Sequence, residues 1–147
     1  MNNLAVTYKK QGGRLKEAQE LREKFLEVSR HTLGEEHPDT LRSMSNLAVT
    51  YGEQGGKLKE VQELEEKVLE VRRSTLGEEH PDTLRCMSSL AVTLHDLERP
   101  EGAISLMEEA ACLSARVYGG HHSYTKTAEV LVKRWKDVQR EFNGEAE

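Results

Sequence analysis

The chain has little of what usually fastens a small fold. Two of its 147 residues are cysteine, Cys86 and Cys112, too few and too far apart for a disulfide framework. Both read as small, reduced packing residues. The three prolines are spaced rather than clustered, so no linker between separate domains is visible. Aromatic side chains make up 5% of the chain, there is no block of lysine and arginine, and 21 basic groups face 26 acidic ones for a net charge of −5. Nucleic acid and anionic membrane are therefore not expected partners. No apolar run approaches the roughly 18 residues of a membrane span, and Met1-Asn2-Asn3-Leu4 lacks the basic-then-apolar order of a secretion signal. The expectation is a soluble, cytoplasmic protein. Period-two runs of β-branched residues are also missing, which leaves no basis for strands.

What is present is a repeat. Residues 31–51 (HTLGEEHPDTLRSMSNLAVTY) and 74–94 (STLGEEHPDTLRCMSSLAVTL) differ at four of 21 positions and are offset by 43 residues. Leu4, Leu47 and Leu90 keep that spacing, and Gln11-Gly12-Gly13 recurs as Gln54-Gly55-Gly56. A third copy diverges: His122-Ser123-Tyr124-Thr125 stands where His80-Pro81-Asp82-Thr83 stood, 42 residues earlier. A period of this length signals a solenoid, in which each unit buries its apolar face only against its neighbours.

Each period holds two helical patterns. Pro38 can open the first, because a first-turn N–H has no intrahelical partner to lose, and Asp39 sets a carboxylate by the positive helix end. Leu41, Met44, Leu47, Ala48 and Tyr51 then recur at three-and-four spacing, and Gly55 can stop the helix in a left-handed conformation. This is an A-type helix. A B-type helix follows from about Lys57, with Leu58, Val61, Leu64, Val68, Leu69 and Val71 on one side and a charged opposite side, ending at Leu76-Gly77. The expected fold is all-α, a right-handed α-solenoid of antiparallel helix pairs. As one domain over 1–147 it divides into a truncated repeat at 1–36, repeats at 37–79 and 80–121, a capping helix at 122–143 and a disordered tail at 144–147. The cap centres on residues 127–135 and runs to about Phe142, with Trp135 as a packing residue, and a polar outer face is what a solenoid end needs. Because the chain opens inside a helix, it reads as part of a longer array.

Leu4-Ala5-Val6-Thr7-Tyr8 and Leu47-Ala48-Val49-Thr50-Tyr51, with Ala18, Ala103 and Ala110 at small-residue positions, resemble the tetratricopeptide repeat. Residues 33–41 (LGEEHPDTL) and 76–84 (LGEEHPDTL), with residues 117–125 as a weaker copy, are similar to the 42-residue variety of kinesin light chains and to the C-terminal arrays of fungal NACHT- or NB-ARC-type signalling ATPases. The near-identity of the repeats favours the latter. Two departures stand out: glycine is doubled at 12–13 and 55–56 where the family carries one, and Glu98-Arg99-Pro100-Glu101 forms a turn without glycine.

The resemblance implies a concave groove lined by A-type helices that holds an extended peptide or a partner helix. Position by position this places Arg42 and Arg85, Ser45 and Ser88, Asn46 and Ser89, Val49 and Val92, and Gly52 and His95 on or near it, with Asn2 and Asn3 in the first unit. Arg42 and Arg85 could grip a ligand carboxylate with two parallel hydrogen bonds, or pair with acidic residues of the adjacent repeat. Val6, Val49 and Val92 replace the asparagine clamp of chaperone-binding members, which disfavours chaperone C-termini.

No catalytic set is visible. The cysteines lack an oriented base, the glycine pairs lack the surroundings of a phosphate loop, and His37 and His80 lie 43 residues apart, unlike the short paired spacings of zinc ligands. No cofactor or metal is expected. The expected role is a non-enzymatic protein- or peptide-binding scaffold, taking possibly acidic ligands, as the ligand-sensing array of a larger signalling protein. The alternatives are a cargo-adaptor array of the kinesin-light-chain kind, or self-association through exposed ends and helix exchange about the doubled glycines.

Overall fold

The computed structural model describes residues 15–144. Asn2, Asn3, the Leu4–Tyr8 motif, the Gly12-Gly13 pair and residues 145–147 lie outside the described residues. Six helices follow in order: α1 (Leu15–Leu33), α2 (Pro38–Gln54), α3 (Leu58–Leu76), α4 (Pro81–Asp96), α5 (Pro100–Tyr118) and α6 (Ser123–Phe142). No strand occurs among the described residues. The chain forms two compact units, one up to Val68 and one from Leu69 onward.

In the first unit α1 packs against α2. The three-and-four stripe of α2 is buried as its spacing requires: Leu41, Met44, Leu47 and Ala48 are core, as are Ala18 and Leu26 of α1. Tyr51 ends that stripe differently. It is half-buried, its hydroxyl donates to Glu23 Oε1 at 2.7 Å, and the ammonium of Lys57 lies 4.7 Å from its ring centroid. Gly55 stops α2, with its N–H donating to the Tyr51 carbonyl, but at φ +74°, ψ 164° it is extended on the positive-φ side rather than left-handed helical. Gly56 shares that φ. The doubled glycine thus spends its extra residue on an extended turn that a side chain with a Cβ enters only with strain.

In the second unit α4 packs on α5 and α5 on α6. The core repeats the pattern with Leu84, Met87, Leu90 and Ala91 from α4 and Ala103, Met107 and Ala110 from α5. The alanines are fully buried, so the helices touch through small residues and leave no room for larger ones. Full burial of Met87 and Met107 contributes about 1.5–3 kcal/mol each relative to exposure. Pro100 opens α5 at its first turn, and Glu98, at φ 60°, takes the turn position where glycine is missing.

Helix α6 begins at Ser123, four residues before the apolar stretch that drew attention in the sequence, because His122 caps it. Its Trp135 is buried. The α4 residues Leu84, Met87 and Ala91 are core, whereas the α6 residues 42 positions later, Lys126, Glu129 and Lys133, are exposed. Helix α6 therefore presents a polar face where α4 presents core.

Cys86 is buried, as read from the sequence, with its sulfur 2.8 Å from Nη1 of Arg72. Cys112 is a correction: it is exposed, on the outer side of α5 rather than in its packing stripe. No described helix is long and apolar enough to cross a membrane.

Candidate functional site

The A-type helices carry the predicted groove residues in the register their spacing gives. On α2, Arg42 and Val49 are exposed while Ser45 and Asn46 are half-buried, and the Ser45 hydroxyl donates to the Leu41 carbonyl. On α4, Arg85, Ser89 and Val92 are exposed, with Ser88 and His95 half-buried. Val49 and Val92 are 55% and 41% exposed, although buried residues, Ala48 and Thr50, Ala91 and Thr93, flank them in sequence. Apolar side chains at these equivalent positions face outward.

The two arginines follow neither of the partners weighed from sequence. Each pairs within its own helix, Arg42 with Asp39 and Arg85 with Asp82 at 3.5 Å, three residues before it, and their side chains remain 68% and 70% exposed. Such intrahelical pairs contribute only tenths of a kcal/mol, so either guanidinium can exchange its partner for another anion at small cost. His95 goes elsewhere: its ring stacks on Trp135, centroids 4.6 Å apart, so it anchors α6 on α4.

In the second unit these residues meet others that sequence reasoning did not place. A groove of about 480 Å³ between α4 and α6 is lined by Ser88, Ser89 and Val92 of α4, Met107 of α5, and His122, Tyr124, Thr127, Ala128 and Leu131 of the α6 side. Tyr124 is tied into its wall. The phenol donates to the Leu84 carbonyl at 2.6 Å and is hydrogen-bonded to the Ser88 hydroxyl. Burial pushes the Tyr124 phenol above its usual range, so it stays a neutral donor at physiological pH. Thr127 donates to the Ser123 carbonyl. Most hydroxyls of the groove are thus engaged within the fold, and what it offers a ligand is chiefly the apolar surface of Val92 and Leu131.

The missed residues had a signal. Thr127 and Leu131 stand 42 residues after Arg85 and Ser89, the offset that already related His122 to His80. Reading α6 only as a cap hid that it is also an A-type helix with a groove face. Arg134, exposed and three residues past Leu131, lies on that face one turn on.

A second depression, of about 530 Å³, opens on the other side of α6 and is lined by Glu108 and Ala111 of α5 and by Glu129, Val132, Lys133, Lys136, Asp137 and Arg140. Its charges are balanced and partly internally paired, Lys136 with Glu108 and Arg140 with Asp137. In the first unit, sequence reasoning also missed Arg22. This buried residue of α1 has its proton affinity lowered by desolvation and partly restored by Glu53. Among the described residues no three histidine, cysteine, aspartate or glutamate side chains converge as a metal site would need.

The tetratricopeptide repeat model matches residues 1–74 and 56–111. The chain belongs to the tetratricopeptide repeat family. No curated protein matches it. Among solved structures it is similar to a Podosopora anserina protein described as of kinesin-light-chain type with nearly identical TPR-like repeats, at 29% identity and a TM-score of 0.81, covering 98% of this chain and 65% of that one. A single-substitution variant of that protein matches equally well. It is also similar in fold to BtubC (BKLC) from P. vanneervenii, at 21% identity and a TM-score of 0.72, covering 97% of this chain and 63% of that one. The chain thus spans somewhat under two thirds of the length of these structures. The all-α fold is that of kinesin-light-chain-like tetratricopeptide arrays.

Proposed function

We propose that this tetratricopeptide chain is a non-enzymatic scaffold that binds an extended peptide in the groove between α4 and α6. The observation that carries the proposal is the groove's chemistry: an open, largely apolar surface presented by Val92 and Leu131, most of whose neighbouring hydroxyls are already hydrogen-bonded. An apolar side chain of the ligand fills it, since burying such a side chain is worth about 1.5–3 kcal/mol. Arg85 before the groove and Arg134 beyond it, both exposed, favour acidic residues on either side of that anchor. Family membership supports a protein-interaction role, and the near-identity of this chain's own repeats is the ground for reading it as the ligand-sensing array of a larger, cytoplasmic signalling protein. The likeness to kinesin-light-chain-type arrays supports a cargo-adaptor array as the second reading.

A fluorescent peptide library varying one apolar residue among acidic ones tests this. Leu131→Glu should abolish binding, and Arg85→Glu with Arg134→Glu should weaken it and flatten its salt dependence, with helicity unchanged by circular dichroism. Unaltered binding in Leu131→Glu would overturn the groove assignment.

A further inference from the structure

Three A-type helices begin on the same unusual device. His37, His80 and His122 each sit in extended conformation at the N-cap of α2, α4 and α6. In each, the backbone carbonyl accepts the first intrahelical bond at 3.0 Å, from Leu41, Leu84 and Lys126. In each, Nδ1 of the imidazole accepts from the backbone N–H two residues on, Asp39, Asp82 and Tyr124, at 3.1 Å. Caps of this kind are ordinarily the oxygens of serine, threonine, aspartate or asparagine, which keep their lone pairs at any pH near neutral. An imidazole nitrogen accepts only while it carries no proton.

We infer that these histidines make the folded state acid-sensitive through one repeated mechanism. At neutral pH the ring proton resides on Nε2, Nδ1 is bare, and the first turn of each A-type helix is held. Protonation of Nδ1 converts the acceptor into a donor facing another donor, and adds positive charge at the positive end of the helix. The cap is then lost.

The surroundings grade the effect. His37 has Asp39 Oδ2 at 3.9 Å from Nδ1, a carboxylate that partly compensates an imidazolium and is itself shared with Arg42. Asp82 takes the same place after His80 and pairs with Arg85. Among the acidic residues of the preceding turns, Glu35 pairs with Arg30 and Lys67, Glu78 with Arg73 and Glu79 with Arg116, while Glu36, directly before His37, is exposed. His122 has tyrosine in place of the aspartate, His121 before it and Lys126 one turn on, and its ring stacks on Tyr118 of α5 with centroids 4.5 Å apart. With no aspartate two residues on, loss of the cap at His122 is the least compensated of the three. Since His122 and Tyr124 both line the α4–α6 groove, acidification loosens that wall. This last consequence alone rests on the proposed peptide site.

The test is thermal unfolding of the full chain, followed by circular dichroism at about pH 8 and about pH 5, the limits of the histidine range. The parent is compared with His122→Asn and with the triple variant His37→Asn, His80→Asn, His122→Asn. Asparagine is a good cap that does not titrate, so the variants should fold and match the parent at the higher pH. The parent should lose roughly 3 °C more in Tm than His122→Asn on acidification, the shift expected for one cap in a chain of this size. The triple variant should lose least. An equal acid shift in all three proteins would overturn the inference, since the carboxylates they share would then account for it. Nitrogen-15 spectra of the imidazoles at the higher pH give an independent check: the inference requires Nε2–H tautomers at all three positions, and a proton on Nδ1 would overturn it without reference to stability or peptide binding.

Discussion

The ring of His95 on α4 lies nearly parallel to that of Trp135 on α6, with an interplanar angle of 12° and centroids 4.6 Å apart. One is the third-repeat counterpart of an expected groove position and the other the chain's single tryptophan, so the pair fixes the spacing of the two helices that bound the groove. Replacing Trp135 by alanine removes a buried side chain and this stack together. Urea unfolding should show a loss of about 3–5 kcal/mol, with the groove ligand bound more weakly because α6 is no longer held. A loss below about 1 kcal/mol, the scale of an ordinary surface change, would mean that the ring is not buried as described.

Ala91 is completely buried where α4 meets α5. Its enlargement to leucine should overpack that contact and cost about 1–3 kcal/mol, read as a lowered Tm. The same change at the neighbouring exposed Val92 should leave Tm almost unmoved, because the side chain there faces solvent.

Gly55 at φ +74° has open space around the place a Cβ would take, so substitution meets no clash and only backbone strain. Gly55→Ala should therefore cost about 1 kcal/mol, while Gly52→Ala, within α2 and equally open, should be neutral or stabilising through helix propensity. Equal effects at the two sites would contradict the turn geometry.

Tyr51 and Tyr124 should ionise above the ordinary phenol range. Burial raises both phenols, aided at Tyr51 by its hydrogen bond to Glu23 and opposed at Tyr124 by its bond to Ser88. The folded state holds the neutral phenols more firmly than the unfolded chain does. Their contribution is complete below the ordinary phenol range near pH 10, and stability falls as pH rises beyond it. Ultraviolet titration should show tyrosine ionising together with unfolding, and Tyr124→Phe should remove one such step and cost about 1 kcal/mol through the loss of its hydrogen bonds to Leu84 and Ser88.

Much of this was legible because a helical repeat writes its packing into spacing. The stripe Leu41, Met44, Leu47, Ala48 is core for the same reason that Leu84, Met87, Leu90, Ala91 is, and Pro38, Pro81 and Pro100 mark helix starts because a first-turn N–H has no partner to lose. Val49 and Val92 show the limit of hydrophobicity alone: both are apolar and exposed, and only their phase in the 3.6-residue period tells them from the buried residues beside them.

By itself the sequence determined the helices, their caps at proline and glycine, the A and B faces and the family, because each follows from local spacing and backbone restriction within one repeat. Tertiary structure decided which side chains meet across repeats. It turned Arg42 and Arg85 back onto their own helices, spent His95 on Trp135, joined Ser88 to Tyr124, and made α6 both a polar-faced outer helix and a groove wall. Those last contacts depend on distances between residues some 36–40 positions apart, set by how α6 rests on the helix pair before it, and no periodicity within a single helix contains that information.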